Sequence, residues 1–284
     1  MAFKTLDVLN ERVREELSQK INPTEEELKR WKNISKRIHI PLSNDCILEQ
    51  YNGYFKLKEL DWDRYIDKYG NIGRMDRILK AENKSPDEYK VAKQADALLT
   101  FYNLDKSGVT EMLNCAGYSI KDDLLRVNFN YYLKRTSHGS TLSRLVHSYL
   151  ANLIGDRKLS WRLFLEALRS DYMDIQGGTT KEGIHTGAMA GTAVLALKNY
   201  AGLKLNGEQV RIEPCLPETW RQLRFNIRFK GDEYYFTVTP EKVRIKVESL
   251  SGNRIDVLVG DHQVAVDNQE WATIELTKGE KVKC

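Results

Sequence analysis

Cysteine is scarce in this chain: four in 284 residues, Cys46, Cys115, Cys215 and Cys284, with no Cys-x-x-Cys pair. That excludes a disulfide framework and a thiolate zinc knuckle, and points to free thiols in a reducing compartment, the cytoplasm. Histidine is also sparse. There are five, no two of them four residues apart, so a helical zinc pair is excluded and neither a metal nor a cofactor is expected. No stretch approaches the ~20 apolar residues of a membrane span, and residues 1–20 hold no uninterrupted apolar segment of the secretory kind. Membrane partners and secretion are not expected. Polybasic runs are missing too: 44 basic side chains nearly cancel 40 acidic ones, leaving a formal charge of +4, which argues against nucleic acid as a partner. What the chain does have is 41% apolar residues, enough for the core of one large domain or two modest ones.

The apolar period changes from helical to alternating at about Gly202 to Gly207, which divides the chain into residues 1–204 and 205–284. In the first part Leu6, Leu9, Val13 and Leu17 form one stripe, and Asn22-Pro23-Thr24 followed by Glu25, Glu26 and Glu27 reads as a helix start. Further helices are expected at Ser85 to Tyr102, Lys106 to Cys115, Ile120 to Leu133, Thr141 to Ile154, Ser160 to Arg169 and Gly187 to Tyr200, with an irregular stretch from Ile38 to Gly70. Helices joined by short turns with no strand between them form either a bundle or a barrel of hairpins. In the second part Leu223, Phe225, Ile227 and Phe229 alternate with Arg224, Asn226 and Arg228. Val243 to Val247 and Ile255 to Val259 repeat the pattern, the signature of a small antiparallel sandwich.

Three segments are too polar or too glycine-rich for amphipathic packing. Lys93-Gln94-Ala95-Asp96 falls inside an otherwise apolar helix expected over Val91 to Tyr102, and its amide and ammonium donors suit sugar hydroxyls as well as they suit a solvated face. Arg135-Thr136-Ser137-His138-Gly139-Ser140-Thr141 lies between two helices. Its backbone N–H groups make an anion site, with Gly139 letting an oxyanion approach closely, unless Ser140 or Thr141 is simply a helix cap. The eleven residues from Gly177 to Gly187 hold four glycines, three threonines, Lys181, Glu182 and His185, a composition that suits a phosphate although no P-loop spacing is present.

The string from Asp174 to Thr192, Asp-Ile-Gln-Gly-Gly-Thr-Thr-Lys-Glu-Gly-Ile-His-Thr-Gly-Ala-Met-Ala-Gly-Thr, resembles the signature of glycoside hydrolase family 65, which contains maltose, trehalose, kojibiose and nigerose phosphorylases. Lys93-Gln94-Ala95-Asp96, Thr136-Ser137-His138-Gly139-Ser140 and Gln50-Tyr51-Asn52-Gly53-Tyr54 resemble three further motifs of that family, and the likeness covers nearly the whole chain. It implies a mainly helical fold, part of an (α/α)6 barrel followed by a small antiparallel β-sandwich. It implies an inverting phosphorylase that splits an α-linked glucose disaccharide with inorganic phosphate, phosphate being a substrate rather than a cofactor. Lys93, Gln94 and Glu182 would contact the sugar, and His138, Gly139, Ser140, Thr141 and His185 the phosphate. A family hydrolase of α-glucosides and a noncatalytic sugar- or phosphate-binding fragment are the alternatives.

In the resemblance the general acid is a glutamate in a Pro-Asp-Glu-Tyr motif upstream of Met1, so the chain is expected to lack it and to be inactive alone. Self-association, or pairing with an upstream half, is expected to cover Leu6, Leu9, Val13 and Leu17. Ser85-Pro86-Asp87-Glu88-Tyr89 has similar letters but reads better as a helix start.

Overall fold

A computed structural model describes residues 20, 24–120, 122–178, 180–205 and 209–276. The stripe Leu6, Leu9, Val13 and Leu17 lies outside the described residues.

Helix α1 (Glu25–Arg37) starts as the sequence indicates. Thr24 accepts from Glu27 N–H at 3.2 Å and the Glu27 carboxylate returns a bond to Thr24 N–H at 2.9 Å, a reciprocal cap. The stretch expected to be irregular contains a helix, α2 (Trp62–Tyr69), and another, α3 (Met75–Ala81), follows it. Both are shorter than three full turns, too short for a periodic stripe to announce them. Helix α4 (Asp96–Cys115) begins eleven residues later than expected, and residues 89–95 are not helical. Ala92 N–H donates to Arg135 at 2.8 Å and Ser137 N–H to Ala92 at 2.9 Å. Those two backbone bonds, made to a distant segment, outweigh the local apolar period. The expected break near residue 105 is present as a kink: Asp105 has φ 56°, and its carboxylate accepts from Gly108 N–H at 2.8 Å, capping the second half.

Helices α5 (Leu124–Leu133), α6 (Thr141–Leu153), α7 (Arg157–Arg169) and α8 (Thr186–Leu195) follow, α8 running on into a single π-helical turn at Ala196–Tyr200. They share one core in which Leu98, Phe101, Leu124, Phe129, Tyr132, Leu145 and Leu150 are almost wholly buried. Burial of each such side chain contributes about 1.5–3 kcal/mol. Gly191 lets α8 close on α6, since a Cβ there would lie 2.4 Å from a Leu145 methyl.

The strand region forms two four-stranded sheets. One has the order β1 (Leu203–Lys204), β2 (Arg211–Ile212), β6 (Ile255–Val259), β7 (His262–Val266). The other has the order β3 (Leu223–Phe229), β4 (Asp232–Val238), β5 (Lys242–Glu248), β8 (Trp271–Glu275). Val238, Val243, Ile245, Val247, Val257, Val259 and Val266 fill the space between them. All pairs are antiparallel except β2 with β6, which run parallel. Alternation does not report strand direction, so this parallel pair was not legible beforehand. No described helix is long and apolar enough to cross a membrane.

Candidate functional site

The motif segments converge on one turn, Asn71 to Arg74, that the sequence did not single out. A Cβ on Gly139 would lie 2.1 Å from the Gly73 carbonyl oxygen, and a Cβ on Gly73 would lie 2.8 Å from the Gln176 carbonyl oxygen. Gly73 is therefore pinched between the Ser137–Ser140 turn and the start of the glycine-rich loop. Asn71 fastens both sides, accepting from Gly73 N–H at 2.9 Å and donating to Ile175 O at 3.3 Å. The glycine at 139 makes room for a neighbouring backbone, the contact that fixes how the two loops face each other.

Ser140 and Thr141 open α6. Ser140 stands at the N-cap without a side-chain cap bond, so the capping role is not filled and its hydroxyl is left for another partner. Thr141 is buried as the first residue of the helix. His138, at φ 54°, turns inward: its Nδ1 lies 2.9 Å from Ser143 Oγ and its ring meets the His147 ring edge-on at 4.7 Å. Arg144 ties the turn down, donating to His138 O at 2.6 Å and to Glu166 at 2.8 Å. Burial, reinforced by His147, Arg144 and Arg162, pushes His138 well below the usual histidine range, so its ring is neutral near pH 7.

His147 is buried and bonds Ser143 O through Nδ1 at 2.8 Å; burial pushes it down to about 4. A histidine neutral in the fold and basic in the unfolded chain costs stability as the pH drops. Above about pH 7 both states are neutral and nothing is lost. Between about 6.5 and 4 the unfolded chain takes up the proton first, so stability falls by about 1.4 kcal/mol per pH unit through His147, with His138 acting in the same direction. Urea unfolding from pH 7.5 to 4.5 is expected to show this slope, and His147→Asn to flatten it. An equal slope in the variant would assign the acid sensitivity elsewhere.

His185 occupies the N-cap of α8 and is gripped by Asp171. The carboxylate of Asp171 accepts from His185 N–H at 2.7 Å and faces Nδ1 at 2.8 Å, with only 6% of the Asp171 side chain exposed. The Nδ1 hydrogen is thereby committed to Asp171, and Nε2 is the atom turned outward. It lies 3.7 Å from Glu182 Oε2, while Glu182 Oε1 lies 4.0 Å from Arg74 Nη1. Asp171 and Arg74 escape sequence reading because neither belongs to a motif; only their spatial neighbours reveal them.

Lys93 is exposed, and its aliphatic stem packs on Gly139, since a Cβ there would lie 3.1 Å from Lys93 Cγ. Gln94 Nε2 donates to Asp96 at 2.9 Å, and its carbonyl accepts from Gln50 at 3.1 Å. Gln50 also accepts from Ala97 N–H at 3.3 Å, so the Gln50–Tyr54 motif serves to cap α4 and hold the Lys93 segment. Glu88 pairs with Lys58 at 2.9 Å, and that ammonium holds its carboxyl below the usual range. It is a poor proton donor, and its Ser-Pro-Asp-Glu context starts only a single 3-10 turn, Pro86–Glu88, rather than the expected helix, with Ser85 accepting from Asp87 N–H at 3.2 Å.

The family model described as the glycosyl hydrolase family 65 central catalytic domain matches residues 1–194, and that of the family 65 C-terminal domain matches residues 203–266. A trehalose 6-phosphate phosphorylase of Lactococcus lactis subsp. lactis (strain IL1403) is 43% identical over 217 residues, covering 76% of this chain and 28% of the relative. A kojibiose phosphorylase of Caldanaerobacter subterraneus subsp. tengcongensis is 31% identical over 235 residues, 81% of this chain and 28% of the relative. The fold is also that of a structure described as a kojibiose phosphorylase from the human microbiome, with a TM-score of 0.71 at 24% identity over 97% of this chain and 38% of that one. The chain spans 28% of the length of each of these two curated relatives.

Proposed function

Because the chain belongs to glycosyl hydrolase family 65, we propose that it supplies the phosphate cradle and part of the sugar site of an inverting disaccharide phosphorylase. The reaction is attack of inorganic phosphate on the anomeric carbon of an α-linked glucose disaccharide, giving β-glucose 1-phosphate. The observation that carries this reading is the junction at Gly73, which sets the Ser140 end of α6 and the loop leading to His185 side by side. Two helix N-termini, an uncommitted serine hydroxyl and an oriented imidazole then offer donors to one oxyanion.

An inverting hydrolase needs one carboxylic acid for the leaving oxygen and one carboxylate to activate water. Phosphate is already an anionic nucleophile, so donors that aim it replace the base. Lys93, on the flank of Gly139, and Gln94 are the residues on this chain that reach the sugar. We assign the general acid to polypeptide outside this chain, because Glu88 is ion-paired and Asp96 is committed to Gln94. The family resemblance, with Cys46, Cys115 and Cys215 outside any disulfide, supports a cytoplasmic setting. The exposed side chains Tyr172, Met173 and Ile184 on the same rim support pairing with further polypeptide or a second copy.

One observation favours a second reading. Glu182 stands 3.7 Å from His185 Nε2 and is a carboxylate where a hydrolase would want a base for water. Calorimetric titration of the chain with inorganic phosphate separates the two. The phosphorylase reading expects binding in the low-millimolar range or tighter, weakened about tenfold by Ser140→Ala. A folded sample with no heat of binding at about 20 mM phosphate would end it.

A further inference from the structure

Arg74 is a largely buried cation at this site with no carboxylate closer than 3.5 Å. Its side chain is only 16% exposed, yet its nearest acceptors are Asp76 Oδ1 at 3.5 Å and Glu182 Oε1 at 4.0 Å, beyond a good charge-assisted bond. A guanidinium has five donors, and burying it without short partners is costly. His185 Nε2 is in a similar position, with Glu182 Oε2 at 3.7 Å. The two oxygens of one carboxylate thus point at two donors and reach neither closely, spanning the distance an oxyanion with a wider tetrahedral set of oxygens would bridge.

The segment carrying Glu182 is short and flanked by glycines. It is a single turn, Thr180–Glu182, between Gly177, Gly178 and Gly183 at φ 78°, 108° and 95°. Half of the Glu182 side chain is exposed, whereas Arg74 is largely buried beside the Gly73 junction and His185 is held by Asp171.

We infer that Arg74 and His185 form a two-pronged seat for the substrate phosphate and that the Glu182 carboxylate competes with phosphate for it. This deepens the phosphorylase reading and rests on it. Glu182 acts as a tethered anion that neutralises the seat and leaves it when a phosphate dianion, with more charge and more acceptor oxygens, arrives. Arg74 becomes a phosphate ligand, and Glu182 sets the phosphate concentration at which the site fills. A like charge beside a bound dianion weakens it, and removing that charge strengthens it.

The test is calorimetric titration of the full chain with inorganic phosphate, at fixed pH and ionic strength, for four proteins: the parent, Glu182→Gln, Arg74→Gln and the double variant, each checked by thermal melting. Glu182→Gln is expected to tighten phosphate about tenfold and Arg74→Gln to weaken it about tenfold. In the Arg74→Gln background the gain from Glu182→Gln shrinks, because the carboxylate then has less to compete for. Unchanged or weaker binding in Glu182→Gln, with the parent binding phosphate, overturns the competition while leaving the phosphorylase reading intact. No binding in the parent overturns the phosphorylase reading and the competition with it, even where Glu182→Gln binds. No binding in any of the four overturns both. Should Arg74→Gln fail to fold, Arg74→Lys serves, with a single ammonium in place of the fork and an expected loss of the same sign.

Discussion

Replacing His185 by alanine in the active enzyme is expected to lower kcat/KM for phosphate about 10²- to 10³-fold, the usual cost of losing one oriented donor to a reacting oxyanion. The orientation comes from Asp171, which holds both the backbone N–H and Nδ1 of His185, so the ring cannot turn its other nitrogen outward without breaking a bond to a nearly buried carboxylate. Substrate phosphorolysis should suffer while the fold does not, because one third of the His185 side chain is exposed and it contributes little packing. The loss belongs in phosphate KM and kcat, with the disaccharide KM nearly unchanged, since Lys93 and Gln94 are on a different segment. A coupled glucose 1-phosphate assay across phosphate concentrations reads this directly. Parent-like kcat and phosphate KM in His185→Ala would make the histidine a structural partner of Asp171 and nothing more.

How legible all this was in the sequence depends on the range of the forces involved. Strands β3, β5 and β6 are readable because a two-residue period needs only neighbours in the chain, and α6 is readable because its apolar face repeats over three turns. Residues 89–95 were misjudged for the opposite reason. The segment Val91 to Tyr102 has a good helical pattern, but Ala92 exchanges its backbone bonds with Arg135 and Ser137, more than forty residues away. Short helices such as α3 leave too few turns for a stripe. At the site, motif composition pointed to the Ser137–Ser140 turn and the glycine-rich loop but not to what joins them. Asp171 lies in an unremarkable helix-to-loop junction, and Arg74 follows Gly73 in a turn with no motif of its own. Each becomes visible only when its distant partner is placed. Motif composition also leaves side-chain direction open: the ring of His138, expected at the phosphate with His185, faces Ser143 and His147.

Gly139 gives the sharpest separation between a role in anion binding and a role in assembly. If the glycine were there to admit an oxyanion, alanine would disturb phosphate binding and leave the unliganded protein as stable as before. The geometry demands something else. A Cβ at this position would sit 2.1 Å from the Gly73 carbonyl oxygen, with the carbonyl carbon at 3.3 Å and Lys93 Cγ at 3.1 Å. Lys93 can swing its flexible stem away, but Gly73 cannot retreat, because even a Cβ on its own far side would meet the Gln176 carbonyl oxygen at 2.8 Å, and its N–H is held by Asn71. Added volume must therefore push the Ser137–Ser140 turn off the Asn71–Arg74 turn, and Ser137, which donates to Ala92 O and Gly73 O at 3.4 Å each, goes with it. Overpacking of this kind costs at the upper end of about 1–3 kcal/mol. Gly139→Ala is accordingly expected to lower the unfolding free energy by about 3 kcal/mol with no phosphate present. It should also weaken phosphate binding further, because the two loops no longer face one another at the spacing that a single oxyanion can bridge. Denaturant unfolding in phosphate-free buffer, followed by titration of the folded fraction, measures the two effects apart. Full stability with lost phosphate binding would return Gly139 to the role of an oxyanion contact and leave the Gly73 junction without the part it is given in holding the site together.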